Sequence, residues 1–127
     1  MKDLTRNFNN LNLGEILLVD ERGEFSSVTG QNIDKISFST KSYAFNNGIR
    51  TLAPKIIITD ELGEKNDWDC VNKAIFSGVK VVASCHAYSV DDVSKKPYFI
   101  KDAFERYVVL NSKKLIDCVY DKDFLKL

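Results

Sequence analysis

Four apolar runs constrain this chain more than any other feature: Ile16 to Val19 (ILLV), Lys55 to Thr59 (KIIIT), Val79 to Ser84 (VKVVAS) and Tyr107 to Leu110 (YVVL). Each is too short for a helix, rich in β-branched residues and barely interrupted by polar ones. That is the pattern of a strand buried on both faces, and such strands belong to parallel sheets sandwiched between helices. The segments between them supply the helices. Ser42 to Leu52 reads as one, stopped by Pro54; Asp67 to Phe76 reads as another, with Val71, Ala74 and Ile75 on one stripe and Gly78 as its stop. This alternation predicts an α/β fold, a mostly parallel sheet flanked by helices.

The flanks are less regular. Asp91 to Phe104 predicts a short helix, a break at Pro97 and a second short helix, with Ser89 or Asp91 capping the first. Asn111 and Ser112 form a turn signal leading into Leu115 to Tyr120 (LIDCVY), which predicts a C-terminal antiparallel hairpin on the sheet edge. Ser26 to Lys41 is polar with scattered apolar positions, and its spacing assigns no element. MKDLTRNF places Leu4 and Phe8 four apart, as on a helix, with no strand ahead to feed it. The chain is therefore expected to open in the middle of a structural unit.

At 127 residues, one domain spanning 1–127 with one core is expected. The 18 basic and 18 acidic side chains cancel, so no global field gathers nucleic acid, and no direct nucleic-acid partner is expected. Cys70, Cys85 and Cys118 are odd in number and lack ligand spacing, which argues against a disulfide framework or zinc site and for a reducing, cytoplasmic setting. No run approaches the roughly eighteen apolar residues of a membrane span, and the N-terminus lacks the apolar segment of a signal peptide.

In an open parallel sheet, ligands bind at the carboxyl ends of the strands. The first run ends in Asp20-Glu21-Arg22-Gly23-Glu24, the second in Asp60-Glu61, the third in Ser84-Cys85-His86. An Asp followed by a Glu suits Mg²⁺-nucleotide hydrolysis: the first acid holds a metal-bound water and the second orients or deprotonates the attacking water. The same pair can be a solvated strand end whose Asp caps the next helix. His86, the single histidine, is either a γ-phosphate sensor at that edge or a hydrogen-bonded loop residue. Arg50 and Arg106 are candidate phosphate or transition-state partners, or surface ion-pair formers. Arg22, set among Asp20, Glu21 and Glu24, is expected to be neutralised locally.

VDERGEF (Val19 to Phe25), GIRTLAPKIIITDELG (Gly48 to Gly63), AIFSGVKVVASCHA (Ala74 to Ala87) and FERYVVL (Phe104 to Leu110) resemble successive motifs of the stage III sporulation protein AA family. Those proteins are P-loop ATPases akin to the RecA-like motors of type II and type IV secretion. The resemblance runs from about Leu4 to Tyr120 and implies ATP and Mg²⁺ as cofactors. By the same resemblance Asp60 and Glu61 are a Walker B pair, with Asp60 on the Mg²⁺ water shell and Glu61 activating water. Asp20, Glu21 and Glu24 would face the nucleotide, His86 would sense the γ-phosphate, and Arg50 would act at a subunit boundary. It further implies a ring of like subunits, membrane channel proteins as partners, and a sporulation-associated ATPase that powers or gates a channel from the cytoplasm, peripheral to a membrane complex.

One departure is large. None of the six glycines begins GxxxxGK[ST], the loop whose N–H groups and lysine hold the phosphates. In the family that loop stands just before a helix resembling MKDLTRNF. The chain is thus expected to be the carboxyl portion of a RecA-like core, without its first strand and P-loop, and to bind ATP poorly and not hydrolyse it alone. The absent strand would lie between the third run and Tyr107 to Leu110. Either the last strands shift to pair with the third run, or a second copy covers the edge. Without phosphate or metal, Asp20, Glu21, Glu24, Asp60, Glu61 and Glu64 would raise one another's pKa values and destabilise the fold at neutral pH. Two other functions fit the same residues: a non-enzymatic α/β interaction module, and a Mg²⁺-dependent phosphoesterase with clustered carboxylates as metal ligands.

Overall fold

In the computed structural model, which describes residues 1–37 and 39–127, the first three apolar runs become β1 (Ile16–Asp20), β3 (Ile56–Thr59) and β4 (Lys80–Ala83). With β2 (Ile33–Ser37) they form one parallel sheet of order β2-β1-β3-β4. Side-chain alternation explains why the runs are unbroken. Leu17, Val19 and Ile57 join Phe45 and Ala74 in one buried cluster, while Ile16, Leu18, Ile56 and Ile58 join Phe25 and Val28 in another. Each face must be apolar because each is covered. The helices α2 (Lys41–Leu52) and α3 (Lys65–Phe76) contribute to the first cluster; Met1 and Phe8, at and within α1 (Lys2–Asn10), pack on the second.

Local signals fix these helices in position. The Thr40 hydroxyl accepts the Tyr43 N–H at 3.3 Å to start α2. Ala53 takes a left-handed φ of 43° to end it, ahead of Pro54. Gly48 lets α2 lie close on the sheet, since a Cβ there would run into the Leu17 side chain. At the start of α3 the Asp67 carboxylate accepts the Gly63 and Glu64 N–H groups at 2.9 and 3.1 Å.

All of this belongs to the first of two compact units, Met1–Cys85; the second is His86–Leu127. The second unit holds α4 (Val90–Ser94), whose first turn donates the Asp92 N–H to the Ser89 hydroxyl at 3.2 Å. It also holds β5 (Arg106–Leu110) and β6 (Ile116–Asp121), paired antiparallel. Val90 and Val93 are buried in it, and half-buried aromatic rings cluster. Tyr107 and Phe124 lie 4.8 Å apart between ring centroids, Phe99 and Phe124 5.9 Å, Phe104 and Tyr107 6.2 Å.

The parallel α/β sheet and the C-terminal hairpin are as the sequence predicts, with three corrections. Two of the four runs are not doubly buried strands: β4 is half-buried with Lys80 exposed, and in Tyr107 to Leu110 Val108 and Leu110 are exposed and Tyr107 and Val109 half-buried, because one face of β5 turns toward the aromatic cluster. The hairpin makes its own two-stranded sheet instead of extending the parallel one, so among the described residues β4 ends that sheet. This removes the expectation that the last strands shift to pair with it. Finally, β2 arises inside the segment to which the sequence assigned nothing, and among the described residues no second helix follows Pro97.

Candidate functional site

The ends of β1 and β3 carry the acids, and they use them differently. Asp20 is fully buried; its two carboxylate oxygens accept the Glu24 N–H at 2.8 Å and the Phe25 N–H at 3.0 Å. It folds its own loop and leaves Glu21, Arg22 and Glu24 exposed. Asp60 is only 5% exposed, and its Oδ2 is buried with no hydrogen-bond partner. Burial pushes its carboxyl above the ordinary carboxylate range. Its own backbone N–H and the Lys41 ammonium oppose the rise, and the charges of Glu24 and Glu61 add to it. Crowding among the acids is therefore real at Asp60 but subordinate to burial.

Glu61 occupies a sharp turn with a left-handed φ of 46°. Its N–H donates to the Ser84 hydroxyl at 3.1 Å, and the next N–H, of Leu62, donates to the Ser84 carbonyl at 2.7 Å. Ser84, just past β4, thus grips the turn that follows β3. The Glu61 carboxylate pairs with the Arg22 guanidinium at 2.6 Å, so Arg22 is committed to the neighbouring strand end and not, as expected, neutralised within its own loop.

A cation that the sequence reading did not single out stands among these acids. Lys41, the first residue of α2, is 5% exposed. Its ammonium donates to Glu21 Oε2 at 2.8 Å and to the Glu61 carbonyl at 3.3 Å, and lies 3.9 Å from Asp67 Oδ1. Its backbone N–H donates to Glu21 Oε1 at 3.2 Å. One sequence signal could have exposed it. The first turn of α2 contains a lysine and no acid, which opposes the helix dipole and calls for an anion from elsewhere. Glu21 supplies that anion.

The structure therefore brings together Glu21, Arg22, Glu24, Asp60 and Glu61, joined by Lys41 and Asp67. Glu64 precedes α3 as its cap. Arg50 is exposed in the last turn of α2, about 13 Å along the helix from Lys41 by the rise per residue, and so lies away from this cluster. His86 and Arg106 belong to the second unit; His86 follows Ser84 by two residues and is exposed. Among the described residues no three His, Cys, Asp or Glu side chains converge as a metal cage. The donor set at Asp60 is one buried oxygen, which suits a hydrated cation better than a bare one.

Among the described residues no helix is long and apolar enough to cross a membrane. Residues 7–124 match the family described as Sporulation stage III, protein AA. The chain is 32% identical over 121 residues to the Stage III sporulation protein AA of Bacillus subtilis (strain 168), an alignment covering 84% of this chain and 39% of that protein. It thus spans well under half the length of this curated relative. With a match that takes in the whole parallel sheet and the hairpin, the chain belongs to the stage III sporulation protein AA family.

Proposed function

We propose that this chain carries the acidic half of an ATP-hydrolysing site in a sporulation-associated ATPase, with Asp60 and Glu61 as its Walker B pair. The observation that carries the reading is the buried, unpartnered Oδ2 of Asp60 at the carboxyl end of a central parallel strand. An orphaned buried acceptor costs about 1–3 kcal/mol, and a donor from a ligand removes that cost. Mg²⁺ bound with the nucleotide would offer Asp60 its water ligands and neutralise phosphate charge.

The chain's own residues then divide the work. Asp60 holds the water shell from a fixed, buried position. Glu61, one residue on and half-buried, takes the proton of the attacking water. To do so its carboxylate must first loosen from Arg22, a partner exposed enough to swing away. Glu21 and Glu24 line the rim, and Arg50, about 13 Å along α2 from Lys41, serves a neighbouring subunit. The partners proposed are like subunits in a ring and the proteins of a membrane channel, which the ATPase powers or gates.

The 127 residues contain no GxxxxGK[ST], and this favours a second reading, a non-enzymatic interaction module. The phosphoesterase reading draws less support, because among the described residues the carboxylates do not converge as metal ligands. An NMR titration of the ¹⁵N-labelled chain with Mg·ATP separates the first two. Weak, Mg²⁺-dependent binding is expected, with Kd on the order of 1 mM, about −4 kcal/mol. Shifts should centre on Glu61 and Leu62, disappear in Asp60→Asn, and come with no turnover. Unmoved amides at 10-fold that nucleotide concentration would leave the interaction module as the function.

A further inference from the structure

We propose that Lys41 is the positioning residue of the carboxylate cluster: a buried counter-ion that holds the Glu61 backbone in its left-handed turn and joins the loops after β1 and β3 to the start of α3. The inference deepens the ATPase reading and rests on it for the role of Glu61, but its geometry stands independently.

Lysine is almost never buried unless it is paired, and an ammonium taken out of water is tolerated only where acceptors surround it. Lys41 has those acceptors from three separate segments. The Glu21 carboxylate grips both its ammonium and its backbone N–H, the Glu61 carbonyl takes a further bond, and Asp67 lies 3.9 Å away while its other oxygen holds the Gly63 and Glu64 amides. The Asp60-Glu61 turn is thereby pinned on two sides, by Ser84 at the Glu61 N–H and by Lys41 at the Glu61 carbonyl.

A non-glycine residue at positive φ is held there only by what surrounds it. These two bonds fix the peptide groups on either side of Glu61, and so fix where its carboxylate can point. Of the charged groups that act on Asp60, Lys41 favours its ionised form while Glu24 and Glu61 oppose it. Removing Lys41 takes away the buried cation and leaves exposed Arg22 at the Glu61 carboxylate, while a guanidinium in its place keeps the charge and the donors.

The test is NMR on the whole chain. In the wild type, the Lys41 ammonium should give a slowly exchanging ¹⁵Nζ signal, set apart from the surface lysines. Lys41→Met should displace the Glu61 and Leu62 amide signals and move the Asp60 carboxyl titration upward, and Lys41→Arg should restore both. A fast-exchanging Lys41 ammonium in the wild type overturns the proposal, as does a folded Lys41→Met chain with Glu61, Leu62 and Asp60 unchanged. If Lys41→Met fails to fold, the wild-type ammonium decides alone. Should the ammonium and the variants behave as stated while Mg·ATP moves nothing, the ATPase reading fails and the positioning role stands.

Discussion

Asp60 is the residue at which burial and chemistry conflict. Its carboxyl is pushed up first by burial, against the pull of its own N–H and of Lys41. A carboxyl that binds its proton more tightly in the folded state than in the unfolded chain stabilises the fold fully below the unfolded pKa, about 4 for Asp. That stability is lost as pH rises through the folded value. At neutral pH the ionised group is a net burden on the fold. Asp60→Asn removes the charge and keeps the shape, so it should stabilise the chain at pH 7, by about 1 kcal/mol, and the gain should fade as pH falls through the folded value and be gone below about 4. Urea unfolding of the two proteins at pH 3.5 and pH 7 checks this. A variant destabilised at pH 7 would mean that the carboxylate is well solvated in the native state.

At the scale of elements, the close approach of α2 to β1 rests on Gly48. Alanine is the better helix former by about 1 kcal/mol, so a surface glycine replaced by alanine would gain stability. Here the new methyl meets the fully buried Leu17 side chain, and overpacking of that kind costs about 1–3 kcal/mol. Gly48→Ala should therefore come out destabilised by about 1 kcal/mol, read as a lower denaturation midpoint with unchanged slope. A stabilised Gly48→Ala would mean that α2 can shift outward without loss.

The elements also mark what can be read from one sequence. β1 and β3 were legible because both faces are covered, which leaves an unbroken apolar run; β4, half-buried with Lys80 exposed, was legible because Val81 and Val82 still pack on the two buried clusters. β2 was not, because it is an edge strand with every residue half-buried and polar Asp34 and Lys35 at its centre. Tyr107 to Leu110 misled for the opposite reason: Val108 and Leu110 are apolar yet exposed, so the run looks buried on both faces when one is not. At the site, the Asp60-Glu61 pair was visible as acids at a strand end. Lys41 was hidden, since no spacing distinguishes a lysine that will be buried from one that will not, and only its place in a first helical turn without acids marked it.

For the whole molecule, the question is whether the two units unfold together. Among the described residues, both buried clusters of the parallel sheet and the side chains packed on them fall within residues 1–82. The second unit carries buried Val90 and Val93 and the aromatic group of Phe99, Phe104, Tyr107 and Phe124. Phe124 touches both Phe99 and Tyr107, and the tail around it adds the Leu127 N–H to the Val119 carbonyl at 2.9 Å. Compact units can open as separate cooperative blocks, each with its own free energy. Phe124→Ala removes one ring from a half-exposed cluster, a loss of about 2 kcal/mol, below the cost seen in full cores. By hydrogen exchange, the amides of β5 and β6 should open about 30-fold more often, the factor that energy implies. The amides of β1 and β3 should keep their wild-type rates. Equal acceleration in both sets would make the 127 residues one cooperative domain, with the hairpin's aromatic ring as much a part of the sheet's stability as Ile57.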